Sequence, residues 1–506
     1  MSDVYFNFST EVIPIIIREI DLAEKYIKIS MFQIHNEDIF RILSDKLRQG
    51  VKVEILTLPY DGINKNIRQQ VEPKFRELER NGATIYFCRW NVGDPGRTTT
   101  ATGRWYLFHG KFIVTDKSAI SLSANFTQTQ ELDAVIVFRN DYERIKEFNG
   151  KFDELLDLFV NEDGRFDGNI HRKIVDAIGV EEVRKAKIFE LPDNVDSRHK
   201  DHWIRHYPIE LCSSNVPIEE KLYITPFDCK GRNFVSDLIK GATEYVYIST
   251  ESFTDIDFPD FLVNISVNKD IDIKILSGTS SMDFTDRINN MFRDLIAQDI
   301  DFKTTSEDIH AKLIITDKCV VVSSINLNKI NLGFSFTSRL WRENTETILV
   351  CKKPEIIRLA KERYLEVFNN SYDVKDKLAK KLEDMVKTIF TDVFQLKPKS
   401  EVKALFAKFI LKKQIDIRKL IVKIGKIAKK LGDRHKKSVV EKEDFISALV
   451  LYYLSERKLD YDQLKERVDE VDENVPLSII LNKLRFEQLI EKEGDYYKIN
   501  VETLIS

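Results

Sequence analysis

The sequence predicts an α/β protein: two αβα units of one kind, related by a pseudo-twofold axis, then a helical basic region and a small α+β domain. Three observations carry this reading. The stretch "HGKFIVTDKSAISLSAN" at 109–125 returns as "HAKLIITDKCVVVSSIN" at 310–326, so His-x-Lys-x4-Asp occurs twice, each time followed at the same distance by Ser-x-Asn. Each copy sits at the same place in a repeated order of strand-like and helix-like runs. Basic charge is concentrated beyond the second copy: residues 397–437 hold fifteen Lys/Arg against three acids (Glu401, Asp416, Asp433). That block is +12, and with a net charge of −4 the remainder is −16.

A chain of 506 residues exceeds one compact core. The divisions fall at 1–158 for the first unit, 159–218 for a helical connector, 219–370 for the second unit, 371–456 for the helical basic region and 457–506 for the last domain. The apolar run "VIPIII" at 12–17 is followed at once by Arg18, Glu19 and Asp21, and no 18-residue apolar stretch occurs elsewhere. Neither a signal peptide nor a membrane anchor is therefore expected. Five scattered cysteines (Cys88, Cys212, Cys229, Cys319, Cys351), with no CxxC pair, read as reduced thiols of a cytoplasmic protein.

Within the first unit, "LAEKYIKIS" (22–30) and "GVKVEILTL" (50–58) alternate with period two around a helical stretch. "GATEYVYIS" (241–249) and "DIDIKILSG" (270–278) repeat that order. After each HxK segment come a second apolar run, "DAVIVF" (133–138) or "ETILVC" (346–351), and an amphipathic helix. The first copy is about nineteen residues longer between "EILT" and His109 than the second between "KILS" and His310. The surplus falls around "RWNVGDPGRTTTATGRWYLF" (89–108), a loop by its Gly, Pro and Thr content. It leads into the HxK strand and is expected to overhang the site of His109, with Arg97, Arg104 and Trp105 as candidates to meet a polyanion. An ordinary surface loop has the same composition. In the connector, His199, His202 and His206 lack acidic or Cys partners at ligand spacing and read as surface.

Alternation along "HGKFIVTD" puts His109 and Lys111 on one face of a strand. An ammonium beside an imidazole repels a metal ion but suits phosphate: the Lys holds a phosphoryl oxygen while the imidazole attacks phosphorus or protonates a leaving oxygen. Asn125 can donate its amide to another phosphoryl oxygen, and Ser123 can do the same or shape the turn. One half-site lacks a partner, since displacement needs a nucleophile on one side of phosphorus and an acid on the other. Two copies about a pseudo-twofold axis supply both, with His310, Lys312, Ser324 and Asn326 as the second set. A lone HxKxxxxD arises by chance in roughly one such chain in twenty; two, each with Ser-x-Asn at the same offset, form a specific signal.

The doubled motif resembles the phospholipase D superfamily, the HKD enzymes, over roughly residues 1–370. The glycine that usually precedes Ser-x-Asn in that family is absent from both copies, which read Ser123-Ala124-Asn125 and Ser324-Ile325-Asn326. The resemblance implies a covalent phosphohistidine intermediate, no metal and no cofactor. It implies that Lys111, Lys312, Asn125 and Asn326 hold phosphate oxygens, and that Asp116 and Asp317 brace the motif from outside the site. It also implies a carboxylate orienting each catalytic His: Glu346 in the second copy, and Asp133, with Glu131 as the alternative, in the first. In relatives the first-copy His is often the nucleophile, which points to His109.

Beyond the second copy, Leu405, Phe406, Phe409, Ile410, Ile421, Ile424 and Ile427 recur at helical spacing in the basic block. They leave Lys412, Lys413, Arg418, Lys419, Lys426, Lys429, Lys430, Arg434, Lys436 and Lys437 as candidate nucleic-acid contacts. "KIAKKLGDRHKKSVVEKEDFISAL" resembles the later part of a histone fold or, equally, the helical lid of an ATPase; a generic bundle with a basic face reads the same way. "LDYDQLKERV" (459–468) and 475–500 suggest two helices and a hairpin turning at Glu493-Gly494, which resembles a winged helix with Lys483 and Arg485 exposed. The expected function is a metal-independent phosphodiesterase acting on nucleic acid, DNA in the first place, without membrane attachment. No Gly-x4-Gly-Lys-Ser/Thr loop is present, so a motor such as a helicase or ATPase would be a separate partner. The alternatives are a phospholipase or phosphatidyl transferase whose basic helices meet anionic lipid, and a nucleic-acid-binding or partner-docking protein.

Overall fold

The computed structural model of the chain describes residues 3–58, 65–88, 108–128, 131–160, 173, 187–188, 205–206, 216–251, 253, 258–278, 300–305, 308–328, 332, 335–337, 340–342, 344–411 and 417–500. Two compact units emerge, Met1–Asp283 with Ile300–Ser371, and Phe284–Asp299 with Tyr372–Ser506.

In the first unit, copy one runs β1 (Asp3–Ser9), α1 (Val12–Asp21), β2 (Tyr26–Met31), α2 (Glu37–Arg48), β3 (Lys52–Thr57), α3 (Lys65–Arg80), β4 (Thr84–Phe87), β5 (Lys111–Thr115), β6 (Ser118–Leu122), β7 (Asp133–Arg139) and α4 (Tyr142–Phe159). Copy two runs β8 (Leu222–Ile224), α5 (Gly231–Gly241), β9 (Tyr245–Thr250), α6 (Phe258–Lys269), β10 (Asp272–Ser277), β11 (Asp301–Thr304), β12 (Leu313–Thr316), β13 (Val320–Ser323), β14 (Thr347–Cys351) and α7 (Pro354–Asn369). The first sheet has the order β1-β7-β6-β5-β2-β3-β4, and seven strands of the second have the order β8-β14-β13-β12-β9-β10-β11. The two orders superpose strand for strand, as a duplication requires. Registers agree too: Ser30 pairs with Phe112 across β2 and β5, and Ser249 with Leu313 across β9 and β12.

The central strands are buried on both faces, which explains their nearly continuous apolar runs. One core joins the inward faces of the two sheets, with Phe112 and Phe138 from the first and Tyr247, Leu313 and Val322 from the second. The helices following each copy feed this core with Phe148 and Phe152 from α4 and Tyr364 and Phe368 from α7. Each such ring withdrawn from water contributes about 2–3 kcal/mol. The Tyr364 hydroxyl is satisfied there by donating to the carbonyls of Ile248 (2.9 Å) and Lys274 (3.0 Å). A separate core on the other face of the first sheet takes Ile16 and Ile20 from α1 and Ile39, Phe40 and Leu43 from α2. Helix α2 starts where it does because Asn36 accepts from the amides of Asp38 (3.0 Å) and Ile39 (3.2 Å).

The second unit contains α8 (Val374–Thr388) continuing into a π-helical turn (Ile389–Val393), α9 (Ser400–Leu411), α10 (Ile417–Arg434) and α11 (Lys442–Glu456). Then come β15 (Leu459–Asp460), α12 (Tyr461–Asp469), α13 (Leu477–Phe486), β16 (Ile490–Glu493) and β17 (Tyr496–Ile499). Lys397–Pro398 lies parallel beside Val439–Val440, tying together the segments that flank α9 and α10. The tail holds the two helices and the hairpin expected there, with Gly494 at φ 63° in the turn and β15 as a third strand beside β17. Lys483, expected on the exposed face of α13, is instead half-buried and paired with Glu443 at 2.7 Å, because α13 lays that edge against the start of α11; Arg485 is exposed.

Each motif aspartate clamps the turn after its HxK strand to the start of the neighbouring strand. Asp116 accepts from the amides of Glu24 (3.0 Å) and Lys25 (3.1 Å). Asp317 accepts from the Thr243 amide (2.9 Å) and hydroxyl (2.6 Å) and the Glu244 amide (3.3 Å). Burial alone would raise the Asp317 carboxyl; the bonds from Lys318, Thr243 and Glu244 reverse that and hold it well below the usual range. A depressed carboxyl stabilises the fold above its unfolded pKa of about 4 and loses that contribution as pH falls below it. Asp317→Asn is therefore expected to lower stability by about 1–3 kcal/mol at pH 7. In urea titrations at stepped pH, the gap to wild type should hold down to about pH 4 and narrow below it; a gap that widens in acid would contradict the clamp.

Candidate active site

The two copies meet edge to edge where the motif residues lie. The His109 amide donates to the Thr345 carbonyl (2.8 Å), and the His310 amide donates to the Leu132 carbonyl (3.0 Å). The corresponding bridges are Phe108 with Thr345 and Leu132 with Ile309. Each catalytic candidate is thereby held beside the residue that follows its bridge partner on the other copy: His109 beside Glu346, His310 beside Asp133. The expected carboxylates are found, but each serves the opposite copy's histidine. His109 Nδ1 is 2.7 Å from Glu346 Oε2, and His310 Nδ1 is 3.1 Å from Asp133 Oδ1. Asp133, not Glu131, is thus the orienting group.

The serines have a defined task. Ser123 donates to Asp133 Oδ1 (2.7 Å) and Ser324 to Glu346 Oε2 (2.5 Å), so each fixes a carboxylate that fixes a ring. With Nδ1–H committed to a carboxylate, the Nε2 atoms face the interior of the site. Lys111 Nζ lies 3.0 Å from His109 Nε2. Asn125 Nδ2 lies 3.1 Å from His310 Nε2, so this asparagine also crosses to the other copy. The Asn125 and Asn326 Oδ1 atoms are buried without a hydrogen-bond partner among the described residues.

Both lysines are almost wholly buried. Burial and then the Lys312 ammonium push Lys111 down to about 7. Two interior ammonium groups repelling each other are relieved by an anion. Burial, outweighing Glu346, and then Lys111 and Lys312 push His109 down to about 4.

One residue escaped the sequence reading. Glu251, just beyond β9, places Oε2 at 3.1 Å from Lys312 Nζ, 3.1 Å from Asn326 Nδ2 and 3.6 Å from His310 Nε2. Aligning "YIKISMF" of copy one with "YVYISTE" of copy two, which sets Phe32 against Glu251, would have exposed it. Glu131, Asp133 and His310 bring side-chain ligand atoms within 4.8 Å of one another. Within this group Asp133 Oδ1 is engaged by Ser123 and the His310 ring.

The candidate nucleic-acid contacts divide. Lys426, Lys430, Arg434, Lys436 and Lys437 are exposed in the second unit, on or just after α10, while Ile421, Ile424, Ala428 and Leu431 of that helix are buried. Lys429 pairs with Asp433 (2.6 Å), Lys437 with Asp444 (3.3 Å), and Arg434 donates to the Glu487 carbonyl (2.9 Å). Arg97, Arg104, Lys412 and Lys413, and the side chains of Arg418 and Lys419, lie outside the described residues, as does Trp105. The His109 environment is directly measurable. In histidine ring-nitrogen NMR, assigned with a His109→Asn variant, His109 should remain neutral down to about pH 5 and titrate near 4. Glu346→Gln should lower that value further, because the carboxylate raises it; titration between pH 6 and 7 would contradict this geometry.

A family model described as cardiolipin synthase, phospholipase D-like domain, matches residues 16–156 and 235–368, a little over half of the chain. No curated protein matches. Among solved structures, the phosphatidylserine synthase of Haemophilus influenzae is similar at 15% identity, covering 73% of this chain and 87% of that one with a TM-score of 0.46. Nuc of Salmonella typhimurium, a phospholipase D family member, matches at 19% identity over 30% of this chain and 95% of its own, TM-score 0.25. The polyphosphate kinase of Porphyromonas gingivalis matches at 11% identity and TM-score 0.40 over 71% of this chain, and the match spans only 49% of the kinase. With its family match spread over both copies of the duplicated site, the chain belongs to the phospholipase D-like domain family.

Proposed function

We propose that this phospholipase D-superfamily phosphodiesterase is a nuclease that cleaves DNA or RNA through a covalent phosphohistidine. The observation that carries the chemistry is the pair of His-Lys sets locked together by opposite-copy carboxylates. A neutral Nε2 of one ring attacks phosphorus, and the other ring gives its proton to the departing oxygen. Lys111, Lys312 and the two asparagine amides take the non-bridging oxygens, whose charge grows in the transition state. Water then attacks the phosphohistidine, returning its proton to the second ring. The protein's groups supply nucleophile, acid and charge stabilisation, so the reaction is expected to run in EDTA.

The basic helix α10 supports a polyphosphate substrate, since phosphate backbones are gripped by clustered ammonium and guanidinium groups. A second reading, phosphatidyl transfer, is favoured by the family description, which names a cardiolipin synthase. Among the described residues no helix is long and apolar enough to cross a membrane. A separate helicase or ATPase partner belongs to the nuclease reading.

The test offers labelled single-stranded DNA, duplex DNA, RNA and anionic phospholipid vesicles to the full chain in EDTA. Nucleic-acid cleavage, lowered by about 10³-fold or more in both His109→Ala and His310→Ala, is expected. Cleavage abolished by EDTA would overturn the mechanism, and turnover of the vesicles alone would favour the lipid reading. Lys426→Glu with Lys436→Glu should weaken nucleic-acid binding and reduce the slope of log affinity against log salt by about 1–2. An unchanged slope would remove α10 from the binding surface.

A further inference from the structure

The two half-sites are unequal, and one difference lies just past the strands β2 and β9. Since Ser30 pairs with Phe112 and Ser249 with Leu313, the residues two places further on, Phe32 and Glu251, stand at equivalent points of the two copies. Beside His109 stands a phenyl ring: Phe32 meets the imidazole edge-on with centroids 4.5 Å apart, and Lys111 Nζ lies 5.2 Å from the Phe32 centroid. Beside His310 stands a carboxylate, whose Oε2 is shared by Lys312, Asn326 and the His310 ring edge.

The charges around the two rings therefore differ. His109 faces Glu346 against two ammonium groups, Lys111 and Lys312. His310 faces Asp133 at Nδ1, Glu251 at Nε2 and Glu131, whose carboxyl burial raises, against the Lys312 ammonium. One carboxylate against two cations favours a neutral imidazole at His109, whereas His310 has a carboxylate at each ring nitrogen, the arrangement that suits a ring serving as proton donor. Hydrogen bonding agrees at His109, and at His310 it agrees once the Asn125 amide, whose Nδ2 lies 3.1 Å from Nε2, is rotated. An ammonium aimed at His109 Nε2 needs a lone pair there. That rotation of Asn125 turns Oδ1, which has no partner among the described residues, toward an Nε2–H and leaves the fold untouched.

We propose that Glu251 is a positioning residue that divides the labour between the histidines, holding His310 as the proton donor and leaving His109 as the nucleophile. The proposal rests on the phosphodiesterase reading above but not on the identity of the substrate. His109 Nε2 forms a bond to phosphorus as the ester P–O bond breaks, and the leaving oxygen takes the proton from His310 Nε2. The charge gained by the phosphorylated His109 ring is matched by Glu346 across Nδ1–H. Water then attacks phosphorus and gives a proton to His310, the P–N bond breaks, and His109 leaves as neutral imidazole.

Two generic esters test it: bis(p-nitrophenyl) phosphate, whose leaving group needs little protonation, and diphenyl phosphate, whose leaving group needs more. With the first ester, His310→Asn should release one equivalent of p-nitrophenolate and leave a phosphoryl group on His109, located by mass spectrometry, while His109→Asn releases none. With diphenyl phosphate, Glu251→Gln should move the alkaline limb of kcat/KM to lower pH by about one unit, since a lost carboxylate weakens proton retention at His310. Glu251→Asp should restore most of the wild-type profile, and the shift should be smaller with the p-nitrophenyl ester. A burst from His109→Asn, with the phosphoryl group on His310, would overturn the assignment. So would a Glu251→Gln profile identical to wild type, or one shifted equally for both esters, which would place the effect on Lys111. Wild-type protein inactive toward both esters would remove the phosphodiesterase reading itself, a result distinct from an active enzyme with the roles reversed.

Discussion

Two main-chain bridges between the copies, Phe108 to Thr345 and Leu132 to Ile309, are the constraint on which the rest of the site depends. A side-chain contact can drift by a rotamer, but a backbone amide donating to a carbonyl at 2.8–3.0 Å sets the offset of one chain segment against another. Once Thr345 is bonded to His109, Glu346 must follow at the imidazole, and once Leu132 is bonded to His310, so must Asp133. Duplication then supplies a second geometry from the same rule. Neither copy has a complete site, because each lacks the carboxylate that orients its own histidine.

Around those bridges the polar groups form closed chains. Ser324 fixes Glu346, Glu346 fixes His109, and the Thr347 hydroxyl accepts from the Lys111 amide at 3.0 Å; Ser123, Asp133 and His310 repeat the first part of the scheme. Buried polar groups this dense hold position only when each has a partner, since an orphaned one costs about 1–3 kcal/mol. Among the described residues the Asn125 and Asn326 Oδ1 atoms are two of the buried exceptions, and the two ammonium groups of the site repel each other. Rigid sheets and a shared aromatic core carry the strain of holding two ammonium groups away from water.

Duplication makes symmetry easy, and catalysis by two histidines needs asymmetry. Displacement at phosphorus requires one ring without a proton and one with it. Two identical half-sites would populate the productive arrangement and its mirror equally, beside two useless states. One difference in side-chain type, phenyl against carboxylate after equivalent strands, breaks the tie with no change of backbone. The first copy's longer segment before His109 is a second departure from symmetry in the sequence.

The sequence by itself determined the α/β class, the duplication and the two His-Lys sets, because period-two runs and a motif repeated at one offset are local patterns that tertiary context cannot disguise. The strand runs at 22–30, 50–58, 133–138 and their counterparts all fall on strands of the sheets. Asp133 and Glu346 were legible as carboxylates beside the site, but which histidine each serves was not, since that depends on how one copy's edge abuts the other's. Lys483 was misread for a related reason: helical periodicity gives the phase of a face but not which neighbour packs against its margin, and Glu443 does. Glu251 carries no motif at all. Aligning the two copies marks its position, but the sheet register, which sets β9 beside β12 and turns the first residue past the strand into the site, decided that this one acid among 82 Asp and Glu residues would stand between Lys312, Asn326 and His310.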